Sequence, residues 1–381
     1  MINAFIYIGI FLGVFLSLLI IGKPKKEAHD WILVTWLLIC AVELFFFFYD
    51  FNYQSRQFEA VQITGMLLPF ATAPLLYFYV CALVRNRKFR LRPYLYHFIP
   101  FVFMATGMLY LYFNLGPDQS LRVDEGFIQT YGIDSFYVRN YGLILAFFSF
   151  LYPAISLYLL FIHKRRIQHE FSNMEAVNMN WLRYWIILSM IGFWISFIAI
   201  WSGSFRWVEF TTSFQSVATL ITLNIAIIGF FGLKQTTIFT HVSLVEATVE
   251  QPKTKYASSG ISAEASKGTL TRIDDYMQNE KPYLDSELNI LKLAEKLGIN
   301  KNQISQAINE QLGVNFFTYV NQYRIEHFKR LCQEPKNNNY TLLGLALEAG
   351  FNSKSSFNHV FKKLEGTTPG EFKKSLEQVR T

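Results

Sequence analysis

The chain has 381 residues, of which 52% are hydrophobic, 17% aromatic and 17% charged, with a formal net charge of +7. That length suits two or three domains, and the charged fraction falls well below the roughly 25% of ordinary soluble folds, which argues against a water-soluble globular protein throughout. Nearly all the apolar excess lies before Gly232, and the remainder of the chain is polar and charge-rich.

Seven apolar runs occupy about 3–22, 31–49, 62–84, 94–114, 138–162, 182–202 and 211–233. Each approaches the roughly 20 residues that a helix needs to cross a bilayer. Helices satisfy their own backbone hydrogen bonds in lipid, so the pattern predicts a seven-helix transmembrane bundle over 1–233. The first run has no basic segment ahead of it. Lys23, Lys25 and Lys26 follow it, and no small-residue cleavage site comes after, so it reads as a retained span and not a signal peptide.

The connections give an orientation. The first (GKPKKEAHD), the third (with Arg85, Arg87, Lys88, Arg90 and Arg92) and the fifth (with Lys164, Arg165 and Arg166) are basic. The second, fourth and sixth hold only Arg56, Arg122, Arg139 and Arg206, and the fourth is acidic. Basic loops stay on the cytoplasmic side, so the expected topology has the N-terminus outside and the C-terminal tail in the cytoplasm. The expected location is the cytoplasmic membrane.

Polar groups inside the spans are few. Glu43 lies in AVELFFFF, His97 near the start of the fourth span, and Gln215 and Asn224 in the seventh. Ionisable groups in lipid are costly and face the bundle interior, so Glu43, Gln215 and Asn224 are candidates for sensing a small-molecule or membrane signal. The bland alternative for each is an interhelical hydrogen bond. Pro69, Pro74, Pro100 and Pro153 are candidate kinks. No paired interrupted spans suggest a transporter. Cys40, Cys81 and Cys332 form no metal or redox spacing, the seven histidines are scattered, and no nucleophile triad or phosphate loop occurs, so no metal, cofactor or enzymatic reaction is expected.

Residues 234–267 are rich in Ser, Thr, Ala and Lys without sustained periodicity, which predicts a flexible linker, begun by a short helical extension of the last span. The tail, 268–381, then reads as all-helical. A helix is predicted at 270–279. Leu291, Leu293, Ala294 and Leu297 give the next an apolar face, and Gly298 ends it. A second helix from Lys301 turns Ile304, Ala307 and Ile308 inward, with Asn302, Gln303, Ser305, Gln306 and Asn309 outward. Residues 315–332 form a long amphipathic helix with Arg324 on its solvated side.

The pattern then returns. Leu343, Leu345, Ala346 and Leu347 line a helix ended by Gly350, Phe351 plugs the core, and Ser353 caps a helix that buries Phe357, Val360 and Phe361. Its outer face is Lys354, Ser355, Asn358, His359, Lys362 and Lys363. The second turn glycine follows the first by 52 residues. One helix, turn and helix is weak evidence for DNA binding; two joined by a long helix are strong.

The segments LAEKLGINKNQISQAINEQLG, YVNQYRIEHFKRL and ALEAGFNSKSSFNHVFKKLEGTTPGEF carry a family likeness. Over about 110 residues, 268–378, the tail resembles the DNA-binding domain of AraC/XylS-type regulators, and the whole layout is similar to membrane-anchored regulators of that type. The resemblance implies two helix-turn-helix motifs whose recognition helices enter successive major-groove segments of double-stranded DNA. The first reader would comprise Lys301, Asn302, Gln303, Ser305 and Gln306. The second would comprise Ser353, Lys354, Ser355, Asn358 and His359. Lys362, Lys363 and Arg324 would meet phosphates.

From Lys267 onward 16 Lys and Arg stand against 13 Asp and Glu, a weak positive balance for a DNA-binding unit. Phosphate attraction supplies most non-specific affinity, so a homodimer or paired sites would be needed for strong binding. The first reader also offers no Arg, the strongest guanine reader, which favours A·T-containing sites. The competing reading is a membrane scaffold or transporter-like protein whose tail binds a protein partner.

Overall fold

The computed structural model describes residues 2–52, 59–84, 92–114, 120–124, 127–131, 136–173, 179–203, 210–247 and 263–380. The described residues form two compact units built mainly of helices. One unit comprises 1–161 with 179–248, and the other 162–178 with 249–381.

The first unit contains α1 (Ile2–Ile21), α2 (Ala28–Asn52), α3 (Glu59–Val84), α4 (Ile99–Phe113), most of α5 (Phe136–Glu170), α6 (Asn180–Gly203) and α7 (Phe210–Ala247). These are seven helices long and apolar enough to cross a membrane, in the register the apolar runs predict. A 3-10 segment, Arg92–Phe98, leads into α4. A small antiparallel hairpin, β1 (Ser120–Asp124) with β2 (Phe127–Tyr131), lies in the fourth connection, where no strand is expected from the pattern. Arg56, Arg206 and most of the basic third connection, whose charges helped to set the expected orientation, lie outside the described residues.

Bundle packing follows from small residues. A Cβ added at Gly13 of α1 would sit 3.0 Å from the Ala41 Cβ and 3.1 Å from the Leu37 carbonyl oxygen. One at Gly9 would sit 2.5 Å from both Leu44 Cδ1 and Thr222 Oγ1. Glycines four apart thus let α1 pack closely on α2 and α7, which is how helices associate when lipid removes the hydrophobic drive between them. Ile6, Leu33, Leu37, Leu44, Phe78 and Leu182 fill the interior. Phe11, Tyr110, Phe113, Leu188, Ile195 and Phe230 point outward and are exposed. Helices apolar on both sides suit a lipid surround and not water.

Asn224 has a plain structural explanation, whereas the Gln215 contact is made through its backbone and not its side chain. Asn224 Oδ1 accepts from the Ser189 hydroxyl of α6 at 2.7 Å, and its amide donates to the Leu220 carbonyl. The Gln215 carbonyl accepts from Thr219 Oγ1. Glu43 is buried in α2.

The helix of the last span continues to Ala247, and α8 (Ala263–Asn279) begins before the predicted domain start. Residues 248–262 lie outside the described residues.

The second unit holds α8, α9 (Ile290–Leu297), α10 (Lys301–Leu312), α11 (Phe316–Gln333), α12 (Leu342–Glu348), α13 (Lys354–Glu365) and α14 (Pro369–Arg380). It has two cores that share α11. Phe316, Tyr319 and Val320 close the first with Ile273, Tyr283, Leu293, Ile304 and Ile308. Ile325, Phe328 and Leu331 close the second with Leu345, Phe351, Phe357 and Phe361. One helix serves both because its buried positions shift around the axis along its length. Leu343, Leu345, Ala346 and Leu347 all lie on α12 as expected, but they do not share one buried face. Leu345, Ala346 and Ala349 are buried, whereas Leu343 and Leu347 are exposed, because in so short a helix Leu342 takes the inward position one residue earlier.

Candidate nucleic-acid interface

Local chemistry sets both reading helices. The Asn289 side chain caps α9, accepting from the Leu291 and Lys292 amides at 3.0 Å. Gly298 ends α9 with φ +66°, a left-handed conformation that any Cβ would strain. Asn300 Oδ1 then accepts from the Asn302 amide at 2.9 Å and starts α10. Ile304, Ala307 and Ile308 are buried, so the opposite face is presented outward.

The second motif repeats this. Thr341 caps α12 and Gly350, at φ +92°, turns the chain. Ser353 Oγ accepts from the Ser356 amide at 3.1 Å and starts α13. Phe357, Val360 and Phe361 are buried. Thr368 and Glu371 then form a reciprocal capping box around Pro369 at the start of α14.

The expected readers divide into open and engaged groups. Asn302 and Gln303 on α10 are exposed, as are Lys354, Ser355, Asn358, His359, Lys362 and Lys363 on α13. Their spacing on α13 forms one continuous face at helical period. Lys301 is engaged by Glu170, Nζ to Oε1 3.6 Å. Gln306 donates to Glu310 at 2.7 Å, and Ser305 receives the Asn309 amide. The Ser353 hydroxyl is committed to its cap, so it shapes the reader instead of reading.

Arg324 is a correction. The spacing put it on a solvated face and the family resemblance implied a phosphate contact, but it is 1% exposed. Its Nε donates to the Tyr283 carbonyl and Nη2 to the Asp285 carbonyl, both at 2.8 Å. Nη1 and Nη2 reach the Ser172 carbonyl and hydroxyl at 3.2 and 3.0 Å. The guanidinium also lies 5.9 Å from the centre of the Phe351 ring. Burial lowers its pKa to about 10, so it stays protonated at neutral pH. A planar fork of donors suits several carbonyls converging from different segments. These partners lie far from Arg324 in sequence, so no local pattern reveals them.

Other charges are structural. Lys329 bridges Glu326 at 3.0 Å and Glu365 at 3.2 Å. Asp274 accepts from the Tyr319 and Tyr323 hydroxyls, tying α8 to α11. Asp285 is partly buried, which raises its pKa, but hydrogen bonds from Lys292 and the Glu287 amide, with the nearby Arg324 charge, bring it below the usual carboxylate value.

Residues 293–375, from the buried end of α9 into α14, match the family model described as a helix-turn-helix domain. The C-terminal unit carries a helix-turn-helix domain. An uncharacterised HTH-type transcriptional regulator of Staphylococcus aureus (strain COL) is 27% identical over 122 residues, 32% of this chain and 15% of that protein. The uncharacterised HTH-type transcriptional regulator YtdP of Bacillus subtilis (strain 168) is 30% identical over 95 residues, 25% of this chain and 12% of that protein. The chain thus spans about 15% of the length of the curated relatives it matches. No solved structure matches.

Proposed function

We propose that the chain is a membrane-embedded transcription regulator whose C-terminal unit reads double-stranded DNA through α10 and α13. The observation that carries this is the α13 surface. Six polar or basic side chains stand clear of a core-anchored recognition helix, inside a domain that matches helix-turn-helix proteins. Lys354, Ser355, Asn358 and His359 are the base-facing set, and Lys362 and Lys363 meet phosphates. Asn302 and Gln303 read from α10, where amides suit adenine edges.

The seven apolar helices support an inner-membrane location, with the N-terminus outside and the DNA-binding unit in the cytoplasm. They act as the sensor, with Glu43 as the strongest candidate contact for a signal. No reaction is assigned to the chain. The small charge excess of the tail is offset by a homodimer on paired sites.

The test is selection from randomised duplex DNA by the full chain held in lipid nanodiscs. Enrichment of two short segments about one helical turn apart is the expected result. A pool that stays random, or binding that vanishes uniformly with salt, would remove the DNA reading.

A further inference from the structure

We infer that residues 167–173, the end of α5 and the turn after it, are a strap docked on the DNA-reading unit, and that its tip withholds α10 from DNA. The inference rests on the DNA reading above.

The strap has an anchor and a tip. In the anchor, Ile167 and Ser172 are buried. Phe171 pairs with Asn289, the α9 cap, as an antiparallel bridge. The Ser172 amide donates to the Leu288 carbonyl at 3.2 Å, and its hydroxyl donates to the same oxygen at 2.5 Å. The Ser172 carbonyl accepts from Asn321 at 3.0 Å and from Arg324 at 3.2 Å. Asn321 and Arg324 are each 1% exposed. A buried arginine and a buried asparagine converging on one backbone carbonyl form a built receptor for an extended segment, and this chain supplies the segment.

The tip lies on α10. The Glu170 carboxylate sits 3.6 Å from Lys301 Nζ, at the first residue of that helix. His169 Nδ1 lies 3.4 Å from the Asn309 amide, two turns further on. Lys301, Ser305 and Asn309 form one stripe at four-residue spacing. The positive end of a recognition helix is where a DNA phosphate is received. Glu170 places a carboxylate there instead, pairs with the cation a phosphate would use, and repels the DNA backbone. Asn302 and Gln303 on the same helix stay open. The tip therefore blocks seating of the helix without filling its whole reading face.

The anchor is built from buried hydrogen bonds, whereas the tip is one partly exposed ion pair and one long contact. The tip is the part that yields, since exposed pairs are worth little.

The experiment uses the full chain in nanodiscs and a fluorescein-labelled duplex taken from the selected pool. His169→Ala combined with Glu170→Ala alters one exposed and one half-buried position outside both cores, and the inference expects about threefold tighter binding, the scale of one partly exposed ion pair. Glu348→Gln, which removes an exposed carboxylate from α12, is the control. Tighter binding by the double variant alone supports the strap. Equal affinity of wild type and double variant, or an equal gain from Glu348→Gln, overturns it while leaving the DNA reading intact. Absence of binding by every protein removes the DNA reading and the strap with it.

Discussion

Arg324 Nε donates to the Tyr283 carbonyl at 2.8 Å, and a Cβ added at Gly350 would collide with that same oxygen. Tyr283 belongs to the first core, and Gly350 is the turn of the second motif. The carbonyl is therefore a junction. An arginine from the shared helix holds it, and the second turn packs on it with no room for a side chain. The relation between the two reading helices depends on this spot.

Gly350→Ala is expected to destabilise the C-terminal unit by about 2 kcal/mol or more. Alanine would have to hold φ at +92° and press on the Tyr283 carbonyl and on Leu284 Cα, 2.9 Å away. Hydrogen exchange of the full chain reads this as faster exchange in α11–α13. Gly298→Ala, where nothing lies within 4 Å of an added Cβ, costs less.

Arg324→Ala is expected to cost about 3 kcal/mol or more, because the Tyr283, Asp285 and Ser172 carbonyls lose a charged donor. A phosphate contact would behave differently: its removal leaves stability unchanged and lowers the salt slope of DNA binding by about one. Measuring both quantities on one variant separates the roles.

Ser355→Ala and Asn358→Ala leave the fold unchanged, since both side chains are exposed. Each is expected to weaken binding to the selected duplex by about 1–3 kcal/mol and to relax preference at one base pair. Lys362→Ala and Lys363→Ala weaken binding to all sequences alike and flatten its salt dependence. Sequence preference is expected to fall on A·T-containing segments, and a guanine-rich consensus would contradict the assignment of amides to base reading.

Asp285 gives the C-terminal unit an acid sensitivity. Its folded pKa lies below the ordinary value, because bonds from Lys292 and Glu287 outweigh its partial burial. The folded state therefore binds this proton less readily than the unfolded one. The stabilisation is complete above the ordinary carboxylate pKa and is lost as pH falls through the lowered one. Asp285→Asn is expected to flatten the acid limb of the stability curve and to leave stability at neutral pH lower than in wild type.

Much of the fold was legible because its signals are local. Seven apolar runs need only length and composition. Gly298, Gly350 and Ser353 mark helix ends through backbone geometry and short-range hydrogen bonds, and all three occupy their expected places. The buried faces of α10 and α13 followed from helical period. On α12 the helix itself was legible, but not which of Leu343, Leu345, Ala346 and Leu347 face the core, because seven residues are too few to fix a face.

By itself the sequence determined the apolar helices, the paired motifs and the outward chemistry of α13, since each depends on residues within a few turns of one another. Only the tertiary structure decided the roles of Arg324, Lys301 and Ser172. Their partners are separated from them by 41, 131 and 116 residues in Tyr283–Arg324, Glu170–Lys301 and Ser172–Leu288. A charged side chain on an amphipathic helix looks solvated until a distant segment brings carbonyls to it. Burial is set by what packs against a residue, and periodicity along one helix carries no record of that.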